Sequence, residues 1–140
     1  MTSSEAETPQ GFLASRTTAM PADTNPSGHI FGGWLMSEMD LAGATHAVIR
    51  AKGTVATVAV ESMKFHEPVH VGDEVSCYTE LLKTGRTSLS VKIEAWVRRA
   101  EAGHLLHVTS AVYHFVAVDK DYRPRPLPAE DDTMRQALRA

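Results

Sequence analysis

The sequence has little of several features that mark particular classes of protein. Cysteine occurs once, at Cys77, which excludes an internal disulfide and suits a reducing compartment. No apolar run approaches the roughly 20 residues that a membrane-spanning helix needs. The first ten residues lack the basic and apolar regions of a secretory signal. The net charge of −3 gives no reason to expect nucleic acid as a partner. These absences favour a cytoplasmic globular protein.

The length and composition predict a single folded domain. The chain has 140 residues, of which 43% are hydrophobic, and that is enough to bury a sizeable core. Residues 1–10 are polar and are predicted to form a flexible N-terminus. Residues 11–128 are predicted to form the domain. Residues 129–140 are predicted to form a C-terminal tail that can contain a short helix.

One long helix is predicted over residues 33–52, where good helix formers dominate and Gly53 provides a stop signal. At 100° per residue, its apolar side chains are scattered around most of the circumference. A helix of this kind is buried on several sides. We therefore expect it to be the central element of the core.

The rest of the domain is predicted to be β-structure, because β-branched residues and period-two alternation dominate it. Consecutive strands with short links are expected to pair antiparallel, and one helix then packs against a curved antiparallel sheet in an α+β fold. The predicted strands run from Phe12 to about Thr18 and over residues 54–65, 74–83, 88–98 and 105–118.

Asp40 is the most unusual residue of the predicted helix. No Lys or Arg lies three or four residues away, and its neighbours on the helix are small or apolar. An unpaired carboxylate in such a place meets water, contacts another chain or is protonated more easily than usual. The pattern alone leaves two readings open, a catalytic carboxylate or an exposed or structural one. Glu38 is a weaker candidate on another face of the helix.

The helix is preceded by the glycine-rich segment GHIFGG at residues 28–33. The first N–H groups of a helix are unpaired and carry a partial positive charge. Gly32 and Gly33 let a substrate oxygen approach that backbone, which is one way to build an oxyanion site. A tight turn without any catalytic role explains the same glycines.

Asp40 lies seven residues beyond Gly33, roughly 10 Å along the helix axis. One carbonyl group cannot touch both unless it lies between them. Two helices that pack antiparallel across a two-fold axis would bring each Asp40 to the helix start of the partner. We therefore predict composite sites at a dimer interface.

The remaining candidates for chemistry are weaker. Cys77 lies in a predicted strand and is expected to be a buried structural thiol. The histidines have no convincing metal-ligand spacing, so no metal site is predicted. Arg86 is one of several cations that either bind a ligand phosphate or are solvated at strand ends.

Residues 19–40, AMPADTNPSGHIFGGWLMSEMD, resemble the signature of the YciA-type acyl-CoA thioesterases. The similarity extends from about Phe12 to Pro128 and is specific for the family. Further segments resemble the same family in the same order: VAVESMKF at 58–65, VGD at 71–73, KTGRTS at 83–88 and VAVD at 116–119.

The resemblance implies a hot-dog fold that dimerises into a continuous sheet, with dimers commonly assembling into a hexamer. It implies hydrolysis of short- to medium-chain acyl-CoA to fatty acid and CoA, with no metal or redox cofactor. The family's catalytic aspartate matches Asp40, its helix-start glycines match Gly32 and Gly33, and its loop asparagine matches Asn25.

In the mechanism that the resemblance implies, a helix-start N–H polarises the thioester carbonyl, and Asp40 activates a water or attacks directly. Glu61 and Ser62 on the strand after the helix are expected to complete the pocket, and Arg86 is expected to reach the nucleotide end of CoA. Two other functions stay open, a non-catalytic acyl-CoA-binding module and a hot-dog hydratase or dehydratase. The second usually pairs a carboxylate with a histidine, and His46 lies about 120° from Asp40 on the predicted helix.

Overall fold

The computed structural model describes residues 8–101 and 103–140. Most of the predicted flexible N-terminus, residues 1–7, lies outside the described residues. The elements in chain order are β1 (Phe12–Thr18), a short 3-10 turn (Pro21–Asp23), α1 (Gly32–Ala51), β2 (Val55–Phe65), β3 (Glu74–Thr84), β4 (Ser88–Arg98), β5 (Leu105–Ala117) and α2 (Asp132–Ala137).

The five strands form one antiparallel sheet in the order β1-β3-β4-β5-β2. Strands β3, β4 and β5 pair consecutively, as expected. The expectation is wrong for β2, which pairs with β5 at the far edge instead of with β3. Residues 66–73 make this crossing possible, and Asp73 fixes its end by accepting hydrogen bonds from the Arg99 side chain at 3.2 Å and the His70 backbone at 2.8 Å.

One side of α1 packs on the concave face of the sheet. Gly43 allows the helix to lie close to the sheet, because a Cβ atom there would lie 2.6 Å from the Ile93 side chain and 2.9 Å from the Phe115 ring. The strands contribute a continuous apolar surface opposite this side of the helix. The buried side of α1 includes Leu35, Met39, Ala42, Gly43, His46, Ala47, Arg50 and Ala51.

The opposite side of α1 is not covered within one chain. Leu41 is 62% exposed and Val48 is 41% exposed. This differs from the expectation of a helix buried on several sides, because the sheet of one chain curves around only part of the helix. The apolar residues on the outer side therefore form a surface that is available to another chain.

The C-terminal tail packs over the end of α1. The Asp131 side chain caps α2 by accepting a hydrogen bond from the Met134 backbone at 2.9 Å, and Met134 is buried. Asp131 also forms an ion pair with Lys52, and Arg50 donates to the Pro128 carbonyl at 2.7 Å. Within the described residues, neither helix is long and apolar enough to cross a membrane.

Candidate active site

Asp40 lies on α1 where the helix faces β2, and it is partly buried. The Thr57 hydroxyl of β2 donates a hydrogen bond of 2.6 Å to Asp40 Oδ1. A bulge directly after Thr57 shifts the register of β2, so that Thr57 pairs with Phe115 and Ala59 pairs with His114. The carboxylate is therefore held in one orientation by a neutral donor.

Tyr113 of β5 lies close to Asp40 on the sheet side of the helix. Its side chain is 1% exposed, and its hydroxyl donates to the Met36 carbonyl, one helical turn before Asp40, at 2.8 Å. Burial, followed by the negative charge of Asp40, raises the pKa of Tyr113 well above its usual range. Tyr113 is therefore a neutral phenol beside the carboxylate.

The start of α1 presents backbone N–H groups beside aromatic rings. Within the part of the chain that the structure describes, no side chain caps the helix at Phe31, and the first turn contains no acidic residue. A Cβ atom at Gly32 would lie 3.3 Å from the Phe65 ring, and one at Gly33 would lie 3.1 Å from the Phe31 ring. Both glycines are therefore suited to a close approach that a larger residue would obstruct.

A cavity of about 520 Å³ opens beside this helix start. It is mainly apolar, with polar groups from the segment that follows β2. Since Gly32 forms part of its wall, the cavity borders the backbone that could polarise a carbonyl. The lining residues are Ile30, Phe31, Gly32, Leu35, Phe65, His66, Glu67, Pro68 and Val69.

The two halves of the site are on the same helix but far apart. Because α1 is one uninterrupted helix from Gly32 to Ala51, Asp40 lies roughly 10 Å along the axis from Gly33. Within one chain, the Asp40 carboxylate and the uncapped N-terminus of α1 therefore lie at two separate positions.

Comparison with known proteins relates this geometry to a family. Residues 27–103 match the model of the thioesterase superfamily. The acyl-CoA thioester hydrolase YciA of Salmonella typhimurium is 53% identical over 126 residues, which are 88% of this chain and 95% of that protein. The chain belongs to the thioesterase superfamily.

Solved structures of thioesterases have the same fold. A hexameric broad specificity acyl-coenzyme A thioesterase, HI0827, is 48% identical with a TM-score of 0.88, covering 94% of this chain and 90% of its own. A hexameric hotdog fold thioesterase of Campylobacter jejuni is 36% identical with a TM-score of 0.80, covering 91% and 96%. The predicted hot-dog fold is therefore confirmed.

Asn25 shapes the loop that leads to the helix of this thioesterase. Its side-chain oxygen accepts hydrogen bonds from the Ser27 backbone at 3.0 Å and the His29 backbone at 3.1 Å. Its own backbone N–H donates to the His29 carbonyl at 2.8 Å. These contacts give Asn25 a clear role in closing the loop, and a catalytic role for it stays a prediction.

Glu61 and Ser62 do not meet Asp40 within one chain. Glu61 contacts His114 Nε2 at 3.4 Å, and His114 Nδ1 shares a hydrogen bond of 2.7 Å with the Ser90 hydroxyl. His114 follows the inward-facing Tyr113 on β5, so this group lies on the outer face of the sheet. Ser62 is exposed in a second bulge with φ 62°. Substrate binding by either residue stays a prediction that needs another chain.

Arg86 lies in the exposed turn between β3 and β4. Its backbone carbonyl accepts a hydrogen bond of 2.8 Å from Leu127, which attaches the C-terminal segment to the turn. Arg86 is exposed, and its expected contact with CoA stays a prediction.

Glu38 is the rival acidic residue on α1. Burial, followed by the charge of Asp23, raises the pKa of Glu38 above its ordinary value. Raised carboxyl pKa values are common at catalytic sites. Glu38 therefore has to be tested beside Asp40, although only Asp40 has a hydrogen-bonding partner on the edge strand β2.

Cys77 and His46 are poor alternatives to Asp40 for the chemistry. Cys77 is 1% exposed, and burial raises the pKa of its thiol to about 11, so a nucleophilic thiolate is disfavoured. Among residues 8–101 and 103–140, no group of three or more His, Cys, Asp or Glu could hold a metal ion. His46 is buried and bonded to Thr79 at 2.8 Å, away from the carboxylate.

Proposed function

We propose that this chain is an acyl-CoA thioesterase that hydrolyses short- to medium-chain acyl-CoA to a free fatty acid and CoA. The observation that carries the proposal is Asp40, a carboxylate fixed by Thr57 on the helix whose open N-terminus borders an apolar cavity. Relatives about half identical to this chain are named acyl-CoA thioester hydrolases. The enzyme works in the cytoplasm and needs no metal or redox cofactor.

In the proposed mechanism, a backbone N–H of Gly32 or Gly33 donates to the thioester carbonyl oxygen and stabilises the negative charge that develops there. Asp40 removes a proton from water, whose oxygen bonds to the carbonyl carbon. The C–S bond then breaks, and CoA leaves as a thiolate that takes up a proton. Direct attack by Asp40 through a transient anhydride uses the same residues.

The proposed active unit is a dimer, because the helix start and the carboxylate of one chain are about 10 Å apart. Strand β2 is an edge strand with exposed apolar residues, including Val58 at 59% and Val60 at 38% exposed. An unpaired edge of this kind can extend a sheet into a second copy. Pairing of two β2 strands would make one continuous sheet and bring Leu41 and Val48 toward the partner.

A hexamer built as a trimer of such dimers is the proposed full assembly. Relatives with solved structures are described as hexameric. In this assembly, Asn25, Glu61, Ser62 and Arg86 would contribute to the site or to CoA binding from either chain. Their roles depend on contacts between copies rather than on contacts within one chain.

Replacement of Asp40 tests the chemistry. Asp40→Asn keeps the size of the side chain and a hydrogen-bond acceptor for Thr57 but removes the base. We expect a loss of at least about 100-fold in kcat, measured as thiol release from acyl-CoA of several chain lengths. Glu38→Gln is the matched control on the same helix and should retain most activity.

Two outcomes of that experiment would contradict the proposal. Near-normal hydrolysis by Asp40→Asn would show that Asp40 is not the base. A large loss of hydrolysis in Glu38→Gln alone would indicate that Glu38 is the base. Binding of acyl-CoA by the unaltered protein without any thiol release would indicate a binding module instead.

Mixed dimers test whether each site is composite. Asp40→Asn and Gly33→Val chains should each be inactive as homodimers. After equal mixing, random heterodimers carry one intact site, so about a quarter of the wild-type activity should return. The Asp40→Asn/Gly33→Val double variant, taken through the same mixing procedure alone, is the negative control and should stay inactive. A folded, mixed population with no recovered activity would show that the two residues do not cooperate across an interface.

A further inference from the structure

We propose that His114 is a positioning residue for the reaction: acting through Glu61, it fixes the part of β2 that orients Thr57 toward Asp40. This inference rests on the proposed thioesterase function and deepens it. His114 lies on the outer face of the sheet, whereas Asp40 lies on the helix side. Its effect therefore passes along the backbone of β2 rather than through contact with the substrate.

Strand β2 contains two bulges, and residues 59–61 are the only paired residues between them. The first bulge separates them from Thr57, which faces Asp40 on the helix side. The second separates them from Phe65, whose ring lies beside Gly32. Side chains alternate between the two faces of a strand, so a slip of one residue in the pairing would turn them to the opposite face. The orientation of Thr57 and Phe65 therefore depends on what holds residues 59–61.

His114 holds this segment from the outer face of the sheet. Its backbone pairs with Ala59, and its Nε2 lies 3.4 Å from Glu61 Oε1. Its Nδ1 shares a hydrogen bond of 2.7 Å with the hydroxyl of Ser90, which is 5% exposed. Ser90 belongs to β4 in the interior of the sheet, whereas β2 is an edge strand. The imidazole therefore connects a fixed strand to the segment between the bulges.

This connection can form in both charge states of the imidazole, because the Ser90 hydroxyl can donate or accept. In the neutral ring, Nδ1 accepts from Ser90 and Nε2–H donates to Glu61. In the protonated ring, Nδ1–H donates to Ser90, and the contact with Glu61 becomes charge-assisted, roughly twice as strong. Histidine side chains change charge between about pH 5 and 8. The hold of His114 on Glu61 should therefore strengthen as pH falls.

The other charged residues of the neighbouring strands on this face, near His114, are Lys92 and Glu94 of β4 and Lys64 of β2. Lys92 lies diagonal to His114 and is ion-paired with Glu94 at 3.5 Å. Lys64 lies beyond the second bulge. Helix α1 packs on the opposite face of the sheet. The charge of His114 therefore acts mainly on Glu61.

Replacement of His114 should lower turnover more than substrate affinity. His114→Leu removes both contacts of the ring and should lower kcat by about threefold to fivefold, with KM changed less than about twofold, because a partly exposed pair is weak. His114→Lys keeps a cation beside Glu61 and should restore most of the rate. Lys92→Gln removes a cation from the same face of β4, which does not touch β2, and is the matched control with unchanged kcat.

The pH dependence separates positioning from a general loss of stability. From pH 8.5 to 6, kcat of the wild type relative to that of His114→Lys should rise by about twofold to threefold. The imidazole gains its charge over this range, whereas a lysine is charged throughout. Groups common to both proteins, including Asp40, cancel in this ratio. A ratio that does not change with pH would contradict the hold on Glu61.

A double-variant cycle tests whether His114 acts through Thr57. If its effect passes along β2, His114→Leu should cost about threefold to fivefold in kcat in the wild-type background but less than about 1.5-fold in Thr57→Val. Equal fold losses in the two backgrounds would overturn the assignment of His114 as a positioning residue.

Hydrogen exchange makes the test independent of catalysis. Backbone amides of residues 58–62 should exchange at least about threefold faster in His114→Leu than in the wild type, while those of β3 should not change. Unchanged exchange over residues 58–62 would overturn the proposal. Faster exchange there, in a protein whose wild type releases no thiol from any acyl-CoA, would refute the hydrolase but not the hold of His114 on β2.

Discussion

His46 should make the stability of this protein fall in mildly acidic solution. Its imidazole is 5% exposed on the buried side of α1, bonded through Nδ1 to the Thr79 hydroxyl, with the Phe12 ring packed edge-on at a centroid distance of 6.2 Å. Burial lowers the pKa of His46 from 6.5 to about 4. The folded protein therefore resists protonation at a site that the unfolded chain protonates readily.

The direction and size of this change in the free energy of unfolding follow from the difference in the His46 pKa between the folded and unfolded states. Between pH 6.5 and about 4, the unfolded state binds a proton at His46 that the folded state lacks, so the free energy of unfolding decreases as pH falls. The loss approaches 1.4 kcal/mol per pH unit and totals about 3 kcal/mol at pH 4. Above pH 6.5 this contribution is complete and constant.

Urea unfolding from pH 7.5 to 4.5, at a fixed protein concentration, measures the effect. His46→Gln serves as the reference because Gln can bond to Thr79 but does not titrate. The wild type should lose about 2.5 kcal/mol more than the variant across this range. Parallel profiles for the two proteins would refute the argument, whatever the stability of the variant at neutral pH.

Three further results are expected. Thr57→Val should lower kcat by about tenfold with little change in KM, because the hydrogen bond that orients Asp40 is lost; Thr57→Ser should restore the rate, and equal activity of both would contradict the contact. Gly43→Ala should destabilise the fold by about 1–3 kcal/mol in urea unfolding because its Cβ would overlap Phe115, and a gain in stability would contradict this packing. Cys77 should react with iodoacetamide only after unfolding, and rapid labelling of the native protein would contradict its burial.

Local signals in the sequence predict the helix and the family correctly. Helix formers and Gly53 bracket a segment that the structure shows as Gly32–Ala51. The family prediction from residues 19–40 is confirmed by relatives that are about half identical. Asp40 could be chosen as a candidate from the sequence alone. The absence of Lys or Arg three or four residues away can be judged along a single helix.

The surroundings of Asp40 could not be predicted in the same way. Thr57 and Tyr113 come from strands β2 and β5, and in the sequence they are ordinary β-formers. Their approach to the helix depends on pairing between strands that are distant in sequence, and on a bulge that determines which face Thr57 occupies. Neither hairpin spacing nor hydrophobic alternation contains that information.

Residues 66–73, which cross from β2 to β3, explain why the predicted pairing of these two strands was wrong. The same segment also bears on the location of the proposed site. Pairing with β3 would have placed β2 on the side of the sheet where β1 lies. Because it crosses to β5 instead, β2 keeps one edge open beside Asp40. The crossing segment also supplies Val69 to the cavity at the helix start. The same departure from local pairing therefore leaves β2 as an open edge strand and supplies part of the apolar wall beside the start of α1.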